Sequence, residues 1–273
     1  CCKSEDLITD DSAVRMVGNL IKREHFAMLE HASLVFSLDQ ISYHDLKVAA
    51  DSLEREDISI ESPYKNYLRF TSINGRYIVS GNIRAWIEFL TACNQTYDKI
   101  PMFMYAHIHN ENLDNKVLFS NFMDAECGLI FNEANIIEYE RIVDIKGLSI
   151  EERLIHEDLT IRFTVDRGVT HELVRMRDCS FAQESTRYCN YSKGKFGQEI
   201  TVIKPCFWEE DTEVFNEWKM GCEEAEKSYF ILLNEGATPQ EARDVLPTSV
   251  KADIIMTTNI REWIHILKLR ALG

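Results

Sequence analysis

Thr170-His-Glu-Leu-Val-Arg175-Met-Arg177-Asp-Cys-Ser180-Phe-Ala-Gln-Glu-Ser185-Thr-Arg187-Tyr-Cys-Asn-Tyr-Ser-Lys193 is the stretch around which the chain is organised. It sets Arg175, Arg177 and Arg187 among Ser180, Gln183, Glu184 and Ser185, too polar for a core and too poor in Gly and Pro for a plain linker. Arginine stays charged and offers five fixed donors, so three of them with interleaved hydroxyls suit phosphate oxygens. The bland alternative is a solvated loop whose arginines pair with nearby acids, an arrangement that contributes little.

Charge sharpens the contrast. The 273 residues hold 30 Lys+Arg against 45 Asp+Glu, a formal net charge of -15. Such a balance disfavours nucleic acid as the main partner but leaves room for a small phosphorylated metabolite. A hydrophobic share of 45% with 27% charged residues is an ordinary globular composition, and the length allows one or two domains. No apolar run approaches the roughly 20 residues of a membrane span, and no signal peptide is visible, so no membrane partner is expected. The eight cysteines form no Cys-x-x-Cys pair, which reads as free thiols in a reducing compartment.

Working outward, Asp10, Asp11 or Ser12 should cap a helix with Val14, Val17, Leu20 and Ile21 on its buried face. Ala32 to Leu38 reads as a strand. Asn74-Gly75, between Tyr67 to Ile73 and Arg76 to Val79, is a strong hairpin signal because both residues tolerate positive φ. Asn82 should cap a helix that buries Ile83, Trp86, Ile87 and Leu90. His107-Ile108-His109 alternates as a strand would, one way to begin a metal site; no third ligand pattern follows, and a surface location without metal is the reading adopted.

Leu159, Ile161, Phe163 and Val165 alternate with polar residues as in a half-buried strand, and a short helix should then deliver Arg175. Residues two apart on a helix do not face each other, so Arg175 and Arg177 can share a ligand only if the helix ends there or the ligand wraps its tip. Ile200 to Ile203 reads as a strand ended by Pro205. Glu209 to Asn234 reads as a long helix with Val214, Trp218, Cys222, Ala225, Tyr229 and Leu232 inward. Thr238-Pro239-Gln240-Glu241 is a capping box with Pro at the first helical position. A last helix should bury Ile260, Trp263, Ile264 and Leu267. Its opening, Asn259-Ile-Arg261-Glu-Trp263-Ile-His265, reads almost like Asn82-Ile-Arg84-Ala-Trp86-Ile-Glu88, through either duplication or convergence on a capped amphipathic helix.

The spacing Arg-x-Arg-x-x-Ser-x-x-x-x-Ser-x-Arg-Tyr, here Arg175, Arg177, Ser180, Ser185, Arg187 and Tyr188, resembles the signature of the flavin-dependent thymidylate synthases. The family's histidine between the first two arginines is Met176 here. Three further segments resemble family motifs: His25 followed by Glu30-His31, Ala242-Arg243-Asp244-Val245-Leu246-Pro247, and Asn259-x-Arg261 continuing to Leu269-Arg270.

The resemblance implies an α+β fold, an antiparallel sheet flanked by helices, over a single domain spanning 1–273. A mixed α/β insertion would occupy about 39–157, the N-terminus would be trimmed and the C-terminus truncated. It implies reductive methylation of dUMP to dTMP, with methylenetetrahydrofolate as carbon donor, NADPH as reductant and FAD as cofactor, in a cytoplasmic homotetramer. Glu172, Gln183, Ser185, Arg187, Arg243 and Arg270 would hold dUMP, with Arg270 and Ser185 as the catalytic groups. His25, Arg175, Met176, Arg177, Asn259, Arg261 and His265 would hold FAD. Two alternatives stand beside this: a catalytically weakened flavin- and nucleotide-binding relative, and an arginine-loop interaction module without cofactor.

Overall fold

The computed structural model describes residues 9–53, 68–110, 112–126, 139–187, 189–193 and 197–271. Its helices and antiparallel sheet make an α+β protein. Backbone contacts divide the chain into two compact units, one containing Ile161–Met256 and the other Ile8–Thr160 with Thr257–Gly273. The boundary falls inside two strands, β5 and β7 below.

The larger unit begins with α1 (Asp10–Lys22). Its cap is Thr9, not Asp10, Asp11 or Ser12: the Thr9 hydroxyl accepts from Ser12 N while the Ser12 hydroxyl accepts from Thr9 N. The reciprocal pair satisfies two orphan donors at once, which a lone aspartate does not. A 3-10 turn (Phe26–His31) leads into β1 (Ser33–Leu38) and α2 (Gln40–Leu53). Strands β2 (Arg69–Ile73) and β3 (Arg76–Asn82) form the expected hairpin, with Asn74 at φ 51° and Gly75 at φ 77°. Tyr67 lies outside the described residues.

β4 (Tyr139–Arg141) completes an antiparallel sheet of order β2-β3-β1-β4. Asn82 caps α3 (Ile83–Tyr97), and Ile83, Trp86, Ile87 and Leu90 are all buried as expected. The core packs around Phe36, whose ring meets Trp86, Phe103 and His107 edge to face at 5.5, 5.5 and 5.0 Å. Fully burying one such side chain is worth about 1.5–3 kcal/mol.

His107 and His109 correct the sequence reading. They belong to α4 (Met102–Ile108) and its C-cap rather than to a strand, and His107 is only 3% exposed. The buried residues Phe103, Met104, His107 and Ile108 follow a helical period that the His-x-His alternation masked. Among the described residues no cluster of three or more His, Cys, Asp or Glu side chains could hold a metal ion. After α5 (Leu113–Leu118), the short helix α6 (Ile150–His156), capped by Ser149, runs into β5 (Asp158–Asp166).

The smaller unit holds most of β5, then α7 (Arg167–Leu173), β6 (Ser180–Gln183), α8 (Glu213–Asn234), α9 (Pro239–Ala242) and most of β7 (Lys251–Asn259). The second sheet has the order β5-β7-β6. Thr160 bonds Thr257 and Thr164 bonds Asp253, so β5 and β7 run in opposite directions. Helix α10 (Ile260–Arg270) closes the chain and belongs to the larger unit.

Four expectations change in detail. Ile200 to Ile203 makes only an isolated bridge, Val202 to Val250, before Pro205 removes the next donor. α8 starts four residues late, because Asp211 takes φ 70° and Thr212 supplies the cap; Val214 on its first turn is exposed rather than inward. Leu159 is 48% exposed on β5. On α10 the buried residues are Trp263 and Ile266, while Ile264 and Leu267 face out, because the Trp263 indole is anchored by donating to the Leu159 carbonyl at 2.9 Å.

Behind the first sheet lies a buried polar cluster. His156 is 1% exposed, with Nε2 2.8 Å from Thr71 Oγ1 and Nδ1 2.7 Å from Ser80 Oγ. Arg69 donates twice to Asp158, at 2.6 and 2.8 Å. Burial, helped by the Arg69 charge, lowers the His156 pKa to about 3. The unfolded chain therefore binds a proton near pH 6.5 that the folded one refuses, and the associated stability is present above pH 6.5 and lost as pH falls toward 3. Between pH 6.5 and 4.5 this residue should cost the fold about 2 kcal/mol. Urea titrations at the two pH values should show that difference, and His156→Gln should flatten it; an unchanged slope in the variant would refute the assignment.

Candidate functional site

The signature loop is built by caps and hydroxyl bonds. Asp166 caps α7 by accepting from Val169 N at 2.7 Å, and α7 ends at Leu173. Arg175 and Arg177 thus lie in the turn beyond it, which meets the geometric condition for sharing a ligand. Both are exposed, Met176 between them is half-buried, and the chain reverses at Asp178, φ 54°. Glu172 pairs with Arg175 at 3.2 Å, but their side chains are 55% and 70% exposed, so the pair adds little rigidity. Gln183, at the end of β6, donates to the buried Thr170 hydroxyl at 2.7 Å and ties loop to helix.

Two distant motifs meet in this unit. The capping box at Thr238 starts α9 and leaves Arg243 at its end, where Nη1 donates to Thr186 Oγ1 at 3.4 Å. Arg187 Nε donates to Gln240 Oε1 at 3.1 Å, and Ser185 Oγ accepts from Arg187 N at 3.4 Å. Gln240 and Thr186 thus bring Ser185, Arg187 and Arg243 near one another.

Beside them lies a cavity of about 390 Å³ lined by Arg167, His171, Thr186, Arg243, Asp244 and Thr248, among others. Arg167 and His171 were not among the residues the sequence singled out for ligand binding. The signal was an arginine directly after a capping aspartate, hidden because Asp166-Arg167-Gly168 read as a strand-to-helix junction. Arg167 is held firmly: its N–H is shared between the carbonyls of Thr248 and Val250 at 2.9 and 3.1 Å, and Nη1 donates to the Glu184 carbonyl at 3.0 Å.

The charges at this cavity are uneven. Among the described residues neither Arg167 nor Arg243 has a carboxylate ion-pair partner, whereas Arg69, Arg76, Arg84 and Arg153 all do. Two half-buried guanidinium groups without an ion-pair partner stand beside this cavity in a chain of net charge -15, with Asp244 also in its lining, and their free charge is of the sign that attracts an anion.

The remaining expected residues lie in the larger unit. His25 is exposed and caps the 3-10 turn through its backbone. Asn259 is nearly buried, and its side-chain oxygen accepts from Glu262 N at 2.9 Å to cap α10. Arg261, His265 and Arg270 stand exposed on that helix. Tyr188 lies outside the described residues.

A pocket lined by Arg167, Arg243 and the hydroxyl-bearing Thr186 and Thr248 has donor groups of the kind that phosphate oxygens accept. Residues 140–272 match the family described as "Thymidylate synthase complementing protein". The chain is similar to the flavin-dependent thymidylate synthases of Pyrococcus furiosus, 35% identical over 119 residues, and of Pyrococcus abyssi, 34% identical over 119 residues; each alignment covers 42% of this chain and 48% of the relative. A third such relative, from Geobacter sulfurreducens, is 30% identical over 128 residues, 46% of this chain and 53% of its own. The chain thus spans about half the length of the curated relatives it matches. Among the described residues no helix is long and apolar enough to cross a membrane.

If the cavity takes an anion, inorganic phosphate should raise the melting temperature over chloride at matched ionic strength. At ten times its Kd the gain would be about 1.4 kcal/mol, a shift of a few degrees. Arg243→Met should abolish the shift; an equal shift in that variant would place the anion elsewhere.

Proposed function

We propose that the chain methylates dUMP to dTMP as a flavin-dependent thymidylate synthase, with methylenetetrahydrofolate as carbon donor and NADPH as reductant. The observation that carries the reading is the meeting of Ser185 and Arg187 with Arg243, from motifs far apart in sequence, beside a cavity whose cations lack counterions. A nucleoside monophosphate suits that cavity in size and charge. Ser185, Arg187 and Arg243 would hold the phosphate, while Glu172 and Gln183 would fix the orientation of the nucleotide.

Carbon 5 of uracil becomes nucleophilic when negative charge on the ring is stabilised. Arg270 would supply that stabilisation, its guanidinium remaining charged at every working pH. Ser185 would align the nucleotide for the transfer, so the protein's part is positioning and electrostatics rather than covalent attack.

FAD fits the remaining donors. Arg175, Arg177 and His265 are exposed, and Arg261 is exposed and without a carboxylate partner among the described residues. By the resemblance these residues would hold the flavin, and exposed guanidinium groups suit its diphosphate. His25, Met176 and Asn259 would complete the binding surface, and the bound flavin would supply the reducing equivalents. By the same resemblance the working assembly is a cytoplasmic homotetramer. Met176, half-buried where the family has histidine, favours a second reading, a relative that binds flavin and nucleotide but turns over poorly.

Purified protein should be yellow, release FAD on denaturation and, with folate and NADPH, release tritium from C5-labelled dUMP. Flavin and dUMP binding without tritium release would select the second reading. Arg187→Ala should weaken dUMP binding by about tenfold or more while FAD content is retained, as expected for a lost charge-assisted bond. Equal dUMP affinity measured by calorimetry would contradict the role of Arg187.

A further inference from the structure

The likeness between the segments at Asn82 and Asn259 extends well beyond the helix start. Both asparagines close a strand with nearly the same backbone, φ -70° and ψ 161° against φ -73° and ψ 161°, and both accept from the third helical N–H, at 2.8 and 2.9 Å. In each case the first helical N–H donates to the residue just before an earlier strand: Ile83 to Ala32 O at 2.9 Å, Ile260 to Glu157 O at 3.1 Å.

Those earlier strands match too. Leu29-x-His31 precedes β1 as Leu154-x-His156 precedes β5. Asp39 directly follows β1 and accepts from Ser42 N at 2.9 Å, and Asp166 is the last residue of β5, a strand longer than β1, and accepts from Val169 N at 2.7 Å. Each aspartate is followed at the same spacing by His-Asp-Leu (44–46) or His-Glu-Leu (171–173). The 3-10 turn Phe26–His31 packs on α3 as α6 packs on α10. Convergence on a capped helix explains one of these features but not all of them in the same order.

Contacts between the two copies are reciprocal. His31 Nδ1 lies 2.7 Å from Thr257 Oγ1, and His156 Nδ1 lies 2.7 Å from Ser80 Oγ. His31 and His156 are equivalent positions, and so are Ser80 and Thr257, each two residues before its capping asparagine. Ser33 and Asp158, the equivalent first residues of β1 and β5, bond each other. An exchange of i with j and j with i, together with a residue touching its own counterpart, is what a two-fold axis imposes on an interface.

We propose that the chain is an internal pseudo-dimer. Its two repeats are paired through the reciprocal contacts of their strand starts and helix caps within the larger unit, and only the C-terminal repeat keeps a ligand site. The first repeat lacks the ligand groups. Gln40 stands where Arg167 stands, and α2 runs on as helix through Val48 and Ala50 where the other copy has Arg175 and Arg177. Arg84 is bound by Glu30 and Glu88 at 2.6 Å each, whereas the positions equivalent to those glutamates beside Arg261 are Ile155 and His265.

Two measurements on the full chain test this. Double-mutant cycles pairing His31→Ala with Thr257→Val, and His156→Ala with Ser80→Ala, should give couplings of the same sign and similar size, about threefold or more in the unfolding constant; coupling in one pair and none in the other would overturn the pseudo-symmetry. The second measurement rests on the thymidylate synthase reading: calorimetric titration of the FAD-loaded protein should find one dUMP per chain, and two per chain would overturn the single-site assignment. Failure of the wild-type chain to bind dUMP would count against the proposed function, and the pairing would then be decided by the couplings.

Discussion

An acidic chain must account for every guanidinium it withdraws from water, and this constraint organises both halves of the molecule. Charges of one sign are in surplus, so an arginine finds a carboxylate at little entropic cost unless the backbone holds it away from one. Arg69 and Arg84 are paired with excellent geometry. Arg167 is instead fixed by main-chain carbonyls and Arg243 by a hydroxyl. Neutral acceptors orient a cation without cancelling its charge, leaving the field free for a ligand. An ion pair in the same place would satisfy the arginine and remove the site.

Most of the secondary structure was legible wherever a local rule has a single structural solution. Asn74-Gly75 demanded two positive φ values and obtained them; Asn82, Thr238 and Asn259 announced helix starts to the residue. Sequence reading failed where two periods overlap or where tertiary anchoring rotates an element. His107 and His109 alternate like a strand, yet Phe103 and Met104 one turn earlier make the helical period dominant. On α10, either of two neighbouring stripes could face inward, and the bond from Trp263 to the Leu159 carbonyl decides between them.

The candidate site was legible in part for a related reason. Arg187 and Arg243 carry motif spacing, so each could be named from sequence. Their proximity could not, because it depends on Gln240 and Thr186, residues without a distinctive signature. Arg167 was overlooked because a residue following a capping aspartate is usually surface, and nothing in the sequence reveals that the carbonyls of Thr248 and Val250 wait to receive its N–H.

The two repeats show how little chemistry separates a ligand site from a structural support. Asparagine caps, strand ends and the imidazole-to-hydroxyl exchange are shared, so the frame tolerates both versions. The difference lies in Glu30 and Glu88 around Arg84, against Ile155 and His265 around Arg261. Two carboxylates neutralise the first arginine and fasten its helix to the turn ahead of β1, strengthening the repeat as a docking partner. Their replacement in the second copy gives up that fastening and leaves a charge facing solvent. On the proposed reading, that uncompensated charge is what a ligand would meet.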